Sequence, residues 1–316
     1  MGTVEFWTLY TLSVLITFLR IYASTTVGVH NLRWDDRVMC IAILFYTAQC
    51  VLGYILGAVA QGLANDGMTP DERSVLSQDD HEYIMRVMGS KIQVAGWTVA
   101  VCLLWSLKLC VALFYLRLTS CLQKLRTHVH IAFGLITITF ITSLLTIYLS
   151  CQPFSHYWQI VPNPGNVCQA AISKPIIWVT FVSNLSTDVH LLLIPVLMLR
   201  KSSLKKYEKV AIMLVLGAGV LVIACATLKS IYLIVDPAHS GENTASWGTR
   251  ETFVAIFTTN LPMIYALLKK WLAPFLPSTT RSSYTKPHKS SSSGFRTIRS
   301  NSNDDRVRAN GVTWGV

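Results

Sequence analysis

Four ionisable residues, Lys108, Asp188, Lys229 and Glu251, stand inside long apolar stretches of the chain. An unpaired charge in lipid costs a few kcal/mol on insertion scales, so each of the four is expected to be paired or to serve a purpose. Asp188 closes a series, Thr180, Asn184 and Asp188, in which a polar residue recurs every fourth position. On a helix this spacing puts all three on one face, which must turn towards other helices or a watery pocket rather than lipid. Such a stripe could be satisfied by neighbouring helices alone, or it could line a watery pocket for a ligand, an ion or a substrate, with Asp188 available as a proton donor. Counted at about 1.5 Å per residue from the basic turns, Lys108 lies roughly 13 Å and Asp188 roughly 16 Å along their segments, while Lys229 and Glu251 lie roughly 30 and 28 Å along theirs. The matched depths predict two ion pairs, Lys108 with Asp188 and Lys229 with Glu251. The pairs could fix helix order alone, or they could line a site.

The elements that position these residues must themselves cross a membrane. Of 316 residues, 52% are hydrophobic and only 14% charged, against about 25% charged in soluble domains. Apolar segments fall at about 3–22, 37–61, 92–117, 128–150, 174–199, 209–234 and 248–270, and about 20 residues suffice to cross a bilayer core of about 30 Å. The expectation is an all-α, seven-transmembrane helix bundle over residues 1–275. The first segment carries Glu5 and no basic leader, so it is expected to be a mature helix rather than a signal peptide. Residues 276–316 are rich in Ser, Lys and Arg, including the run Ser290, Ser291, Ser292 and Ser293, and are expected to form a disordered cytoplasmic tail.

Charge sets the orientation. The chain has 27 Lys and Arg against 16 Asp and Glu. Counted along the sequence, 20 of the 27 basic residues fall in the turns after the odd-numbered segments or in the tail, and five in the turns after the even-numbered ones. Basic loops remain cytoplasmic, so the N-terminus is expected outside and the C-terminus in the cytosol, with the plasma membrane favoured. The positive charge is thereby topological, and nucleic acid is not an expected partner. The partners that fit are membrane lipid, a small lipophilic ligand and a cytosolic signalling protein. Cys151 and Cys168 share one outer turn, on the oxidising side, and are predicted to form a disulfide. Asp35 and Asp36 begin the second segment, where carboxylates cap amides and suit the helix dipole. With Arg117 they form a candidate motif at the cytoplasmic helix ends, in which salt bridges to Arg33, Arg37 or Arg117 would tie turns together.

No zinc pattern, nucleophile elbow or phosphate loop occurs, and no metal site is expected. Two function classes follow. One is a receptor-like sensor of a small molecule, or an accessory protein of a metabolite pathway. The other is a membrane-embedded enzyme of cyclase or isomerase type, using Asp188 or Glu251 as its acid. A transporter is disfavoured because internal repeats are lacking.

Several segments together resemble the fungal rhodopsin-domain family of integral membrane proteins. They are Arg20, LRWDDRVM, LKLCVALFYLRL, CQPFSHYW with a later Cys, STDVHLLLIPVLML, CATLKSIYL and WGTRETFVAIFTTNLP, spread over about residues 1–275. The resemblance implies seven membrane helices, and relatives that include receptor-like developmental proteins and membrane proteins of fungal toxin and secondary-metabolite clusters. A retinal cofactor is not expected, because the last segment carries lysines only at its cytoplasmic end, Lys269 and Lys270.

Overall fold

The computed structural model describes the backbone of residues 3–27, 33–119, 123–201, 206–235 and 240–272. The Ser-rich tail lies outside the described residues. Apolar segments leave the backbone no polar solvent, so its N–H and C=O groups must be satisfied within each segment, and the helix does this. Among the described residues eight α-helices result: α1 (Thr3–Val27), α2 (Trp34–Ala58), the short α3 (Pro70–Val75), α4 (His81–Leu118), α5 (Gln123–Leu149), α6 (Lys174–Lys201), α7 (Lys206–Val235) and α8 (Ser240–Leu272). No strand occurs among the described residues. Six of the long helices, α1, α2, α4, α5, α6 and α7, are long and apolar enough to cross a membrane. The chain is therefore a multi-pass membrane protein. α8, at 33 residues, is as long but more polar.

Packing runs around a ring, α1–α2–α4–α5–α6–α7–α8 and back to α1, with α4 also touching α6 and α8. α4 thus runs through the middle of the bundle. Its buried face carries Trp97, Leu103, Trp105, Leu107 and Cys110, and Met39, Tyr46, Ile194 and Ile256 from other helices join the same core. The outside is apolar as well: Phe18, Leu44 and Ile138 are each about two-thirds exposed, as suits side chains whose solvent is hydrocarbon.

The helix ends differ from the sequence expectation most at α4. It begins at His81, eleven residues before the predicted span. Hydropathy places the start at residue 92 because Glu82, Arg86 and Lys91 are charged. The helix continues through them because Arg86 pairs with Glu82 one turn earlier at 2.9 Å and donates to the carbonyl of Ala64 in the preceding loop. At 1.5 Å per residue α4 is about 57 Å long, well beyond a bilayer core.

Candidate functional site

Lys108 of α4 reaches into α6 and uses all three of its N–H donors. Its Nζ donates to Asp188 Oδ1 at 2.6 Å, to Thr187 Oγ1 at 2.6 Å and to the Asn184 carbonyl at 2.9 Å. On the other side, Lys229 Nζ of α7 donates to Glu251 Oε2 of α8 at 2.9 Å. Asn184 joins the two pairs, because its Nδ2 donates to Glu251 Oε1 at 3.3 Å. Each ammonium also lies over an indole, Lys108 over Trp105 at 5.7 Å and Lys229 over Trp97 at 5.2 Å. The result is one polar chain across four helices, with two positive and two negative charges and no net charge.

This corrects the separation of the pairs by depth. Counting residues from the basic turns sets them about 15 Å apart, but that count ignores helix tilt and the reach of Lys and Glu side chains. Thr180, the third member of the stripe, stays outside the chain. Its hydroxyl donates to the Ile176 carbonyl of its own helix at 2.6 Å, and the residue lines a cavity of about 30 Å³ beside Lys229 and Glu251.

Two acceptors in this chain are left over. Asp188 Oδ2 and Asn184 Oδ1 are buried and have no hydrogen-bond partner. Both residues line a cavity of about 70 Å³ whose walls are otherwise mostly apolar, including Leu104, Phe114, Val222 and Pro262. A cavity of this size holds several waters or part of a small ligand. Among the described residues, no group of three or more His, Cys, Asp or Glu is placed to hold a metal.

At the end of the bundle that carries the basic turns, a second buried cluster forms around Arg20 of α1, a residue 1% exposed. Its Nε donates to Asp36 Oδ1 at 3.1 Å, Nη2 to Asp35 Oδ2 at 2.9 Å and Nη1 to the Thr259 carbonyl of α8 at 2.9 Å. Ser24 donates to Asp36 Oδ2, Arg33 lies 3.7 Å from the same oxygen, and Arg117 lies 3.9 Å from Asp35 Oδ1. Arg37 instead covers the Trp34 ring. The residue at the N-cap of α2 is Arg33, which makes no side-chain capping bond. Asp35 and Asp36 therefore bind α1 and α4, with α8 joined through Arg20, rather than cap α2. The sequence reading missed this role of Arg20 because a cation at the end of an apolar run looks like one more basic loop residue.

At the opposite end, Cys151 and Cys168 form a disulfide. It closes a segment with two 3-10 turns, Phe154–Trp158 and Asn166–Cys168. Asn65, in the loop after α2, donates through Nδ2 to the carbonyls of Tyr157 and Cys168. Arg73 donates to the carbonyls of Ile160 and Asn65, and Trp97 Nε1 to that of Ala170. The segment after α2 and the segment after α5 are thereby sewn into one lid on α4. Burial raises the pKa of the Tyr157 phenol, whose O–H donates to the Ile147 carbonyl at 2.7 Å. Gly89 lets the lid sit close: a Cβ there would lie 1.8 Å from the Leu63 carbonyl oxygen. Neither Asn65 nor Gly89 carries a sequence signal of its own, since the contacts that define them are distant in the chain.

No curated protein and no solved structure matches the chain. The model of the fungal rhodopsin domain matches residues 10–270, most of the chain and every long helix described above. The chain belongs to the fungal rhodopsin-domain family.

Proposed function

We propose that the protein is a seven-span, receptor-like sensor of a small lipophilic molecule in the plasma membrane. The single observation that carries this reading is the surplus of acceptors: Asp188 Oδ2 and Asn184 Oδ1 have no partner, and both residues line a largely apolar cavity. Buried polar atoms are nearly always satisfied, so a ligand with a hydrogen-bond donor on an apolar body suits this place. The cavity touches α4, α6, α7 and α8, so an occupant would bias how these helices pack. Thr259 both lines the cavity and accepts from Arg20, which gives the ligand a physical route to the basic end.

The length of α8 and its packing between α7 and α1 support a seventh span. The skew of basic residues supports an outer N-terminus, a cytosolic C-terminus and a cytosolic signalling partner. The chain works without retinal on this reading. Among the described inward residues of α8, from Ser246 to Asn260, none is lysine, and the two interior lysines are engaged on α4 and α7. An accessory role in a metabolite pathway would use the same cavity. The enzyme alternative is weaker, because Lys108 and Lys229 hold the two candidate acids in ion pairs at 2.6 and 2.9 Å.

The test is to purify the full chain in mild detergent and identify co-purifying small molecules by mass spectrometry. A stoichiometric lipophilic donor that is lost in the Asn184→Leu variant is the expected result. A folded protein that retains no compound, or retains it equally in that variant, would overturn the reading, and turnover of the compound would select the enzyme.

A further inference from the structure

A different cavity, of about 60 Å³, lies among α2, α4, α7 and α8 and shares no lining residue with the Asp188 cavity. Three helices each contribute a glycine to it: Gly53, Gly96 and Gly248. Glycine inside a helix is less favourable than alanine and needs a reason. At Gly96 an added Cβ would meet nothing within 4 Å, and at Gly53 and Gly248 it would make only ordinary contacts at 3.6–3.7 Å. Close packing therefore does not demand these glycines. What their missing side chains provide is space.

The space has a polar wall. Gln93 is 4% exposed, and its Nε2 has no hydrogen-bond partner. Gln49 Oε1, also on the lining, has none either. Lys229 completes this wall with its charge compensated by Glu251, while Leu52, Leu56 and Ile92 supply apolar surface. An occupant must accept from one amide and donate to the other. It must also be neutral, because the local charge already sums to zero and an added ion would be buried without a partner.

We propose that this cavity is a second binding site, for a neutral lipophilic molecule that presents a hydroxyl group. A hydroxyl is both donor and acceptor, so it completes Gln93 and Gln49 at once. The volume corresponds to on the order of four waters, room for a hydroxyl and the first few carbons behind it. The site does not depend on the sensing role of the Asp188 cavity and stands or falls separately.

The test uses the full chain in detergent and an octanol that carries a photoreactive aliphatic diazirine. Labelled peptides are expected within residues 49–56 and 92–100. Octanol should compete, and octane, which lacks the hydroxyl, should do so about tenfold less well, the size of two modest hydrogen bonds. Gly96→Leu fills the cavity and should abolish the label, while Gly96→Ala should fold at least as well as the parent and reduce it. Gln93→Leu keeps the volume but removes the donor, and should weaken labelling even if Gly96→Leu does not fold. Label spread over lipid-facing helices, equal competition by octane, or labelling unchanged in Gly96→Ala and Gln93→Leu would overturn the site, including the outcome in which only water occupies it.

Discussion

Among the described residues, the side chains of Arg20, Ser24, Asp35 and Asp36 leave no buried polar atom without a partner, whereas at Asn184 and Asp188 two acceptors are left over. Both clusters are buried, both join four helices and both neutralise two carboxylates with cations. They differ in completion. Arg20 spreads its donors over Asp35, Asp36 and Thr259, Ser24 takes the second oxygen of Asp36, and Arg117 lies 3.9 Å from the second oxygen of Asp35. Lys108 exhausts its donors on α6 and leaves Asp188 half satisfied. A closed network rigidifies and specifies a fold, while an open one beside a cavity retains a capacity to bind. The basic end is therefore architecture, and the middle of the bundle is the candidate site.

The comparison breaks most readily at Arg20. Arg20→Met leaves Asp35 and Asp36 buried without their main cation, and removing one partner of a buried pair costs about 3–5 kcal/mol, with two carboxylates stranded here. Folded yield by fluorescence-detected size exclusion should collapse. A variant that folds normally and keeps its melting temperature would show that the cluster does not hold the bundle.

Lys108 and Asp188 come next. Asp188→Ala strands Lys108 and should cost about 3–5 kcal/mol. Lys108→Met combined with Asp188→Leu should recover most of that loss, so a double-mutant cycle in thermal stability built on these two substitutions should show coupling of at least about 3 kcal/mol. If the site is a working one, the double variant folds but no longer retains ligand. Additivity would remove the claim that the two residues act together.

How far these features were legible depends on whether the signal was local. The Cys151–Cys168 disulfide was anticipated from two cysteines sharing one turn that the basic-residue count assigns to the oxidising side, and the multi-pass α fold follows from apolar length alone. The contact of Lys108 with Asp188 could be anticipated because both sit at similar depth in neighbouring segments. The link through Asn184 could not, since it depends on helix tilt and on which way Glu251 points. Arg20 was hidden because nothing in its neighbours says that it folds back into the bundle. Gln93 and Gly96 were hidden for the opposite reason: in an apolar run, one amide and one glycine carry no chemistry until other helices close around them.

The lid tests whether the outer end follows the closed or the open pattern. Its buried N–H donors are mostly used, as at Asn65 and Trp97, with Arg73 Nε an exception, which places it with the architecture. Replacing Cys151 and Cys168 together with Ser should cost about 3 kcal/mol, on the chain-entropy estimate for a loop of this size. Gly89→Ala should cost about 1–3 kcal/mol, because the loop carbonyl at Leu63 must move. Both should lower the melting temperature without changing ligand retention in the Asp188 cavity. Loss of ligand with an unchanged melting temperature would make the lid part of the site.

The smallest expected effect lies in the lid's exposed helix α3. Thr69 and Glu72 form a capping box there, with the Thr69 N–H donating to Glu72 Oε2 at 2.8 Å and the Glu72 N–H donating to Thr69 Oγ1 at 3.3 Å. The bond from the Thr69 backbone holds the Glu72 carboxyl below its usual pKa. A group whose pKa is lower in the folded state stabilises that state fully above its unfolded pKa, and the contribution fades as pH falls through the folded value. Amide exchange in α3, corrected for intrinsic rate, should therefore lose protection between about pH 5 and about pH 3, the range in which a Glu carboxyl titrates. Glu72→Gln keeps the box geometry but cannot titrate, so its protection should stay flat over that range. If both forms lose protection alike, the change comes from other carboxylates of the outer loops, and the capping box does not set the acid response of the lid.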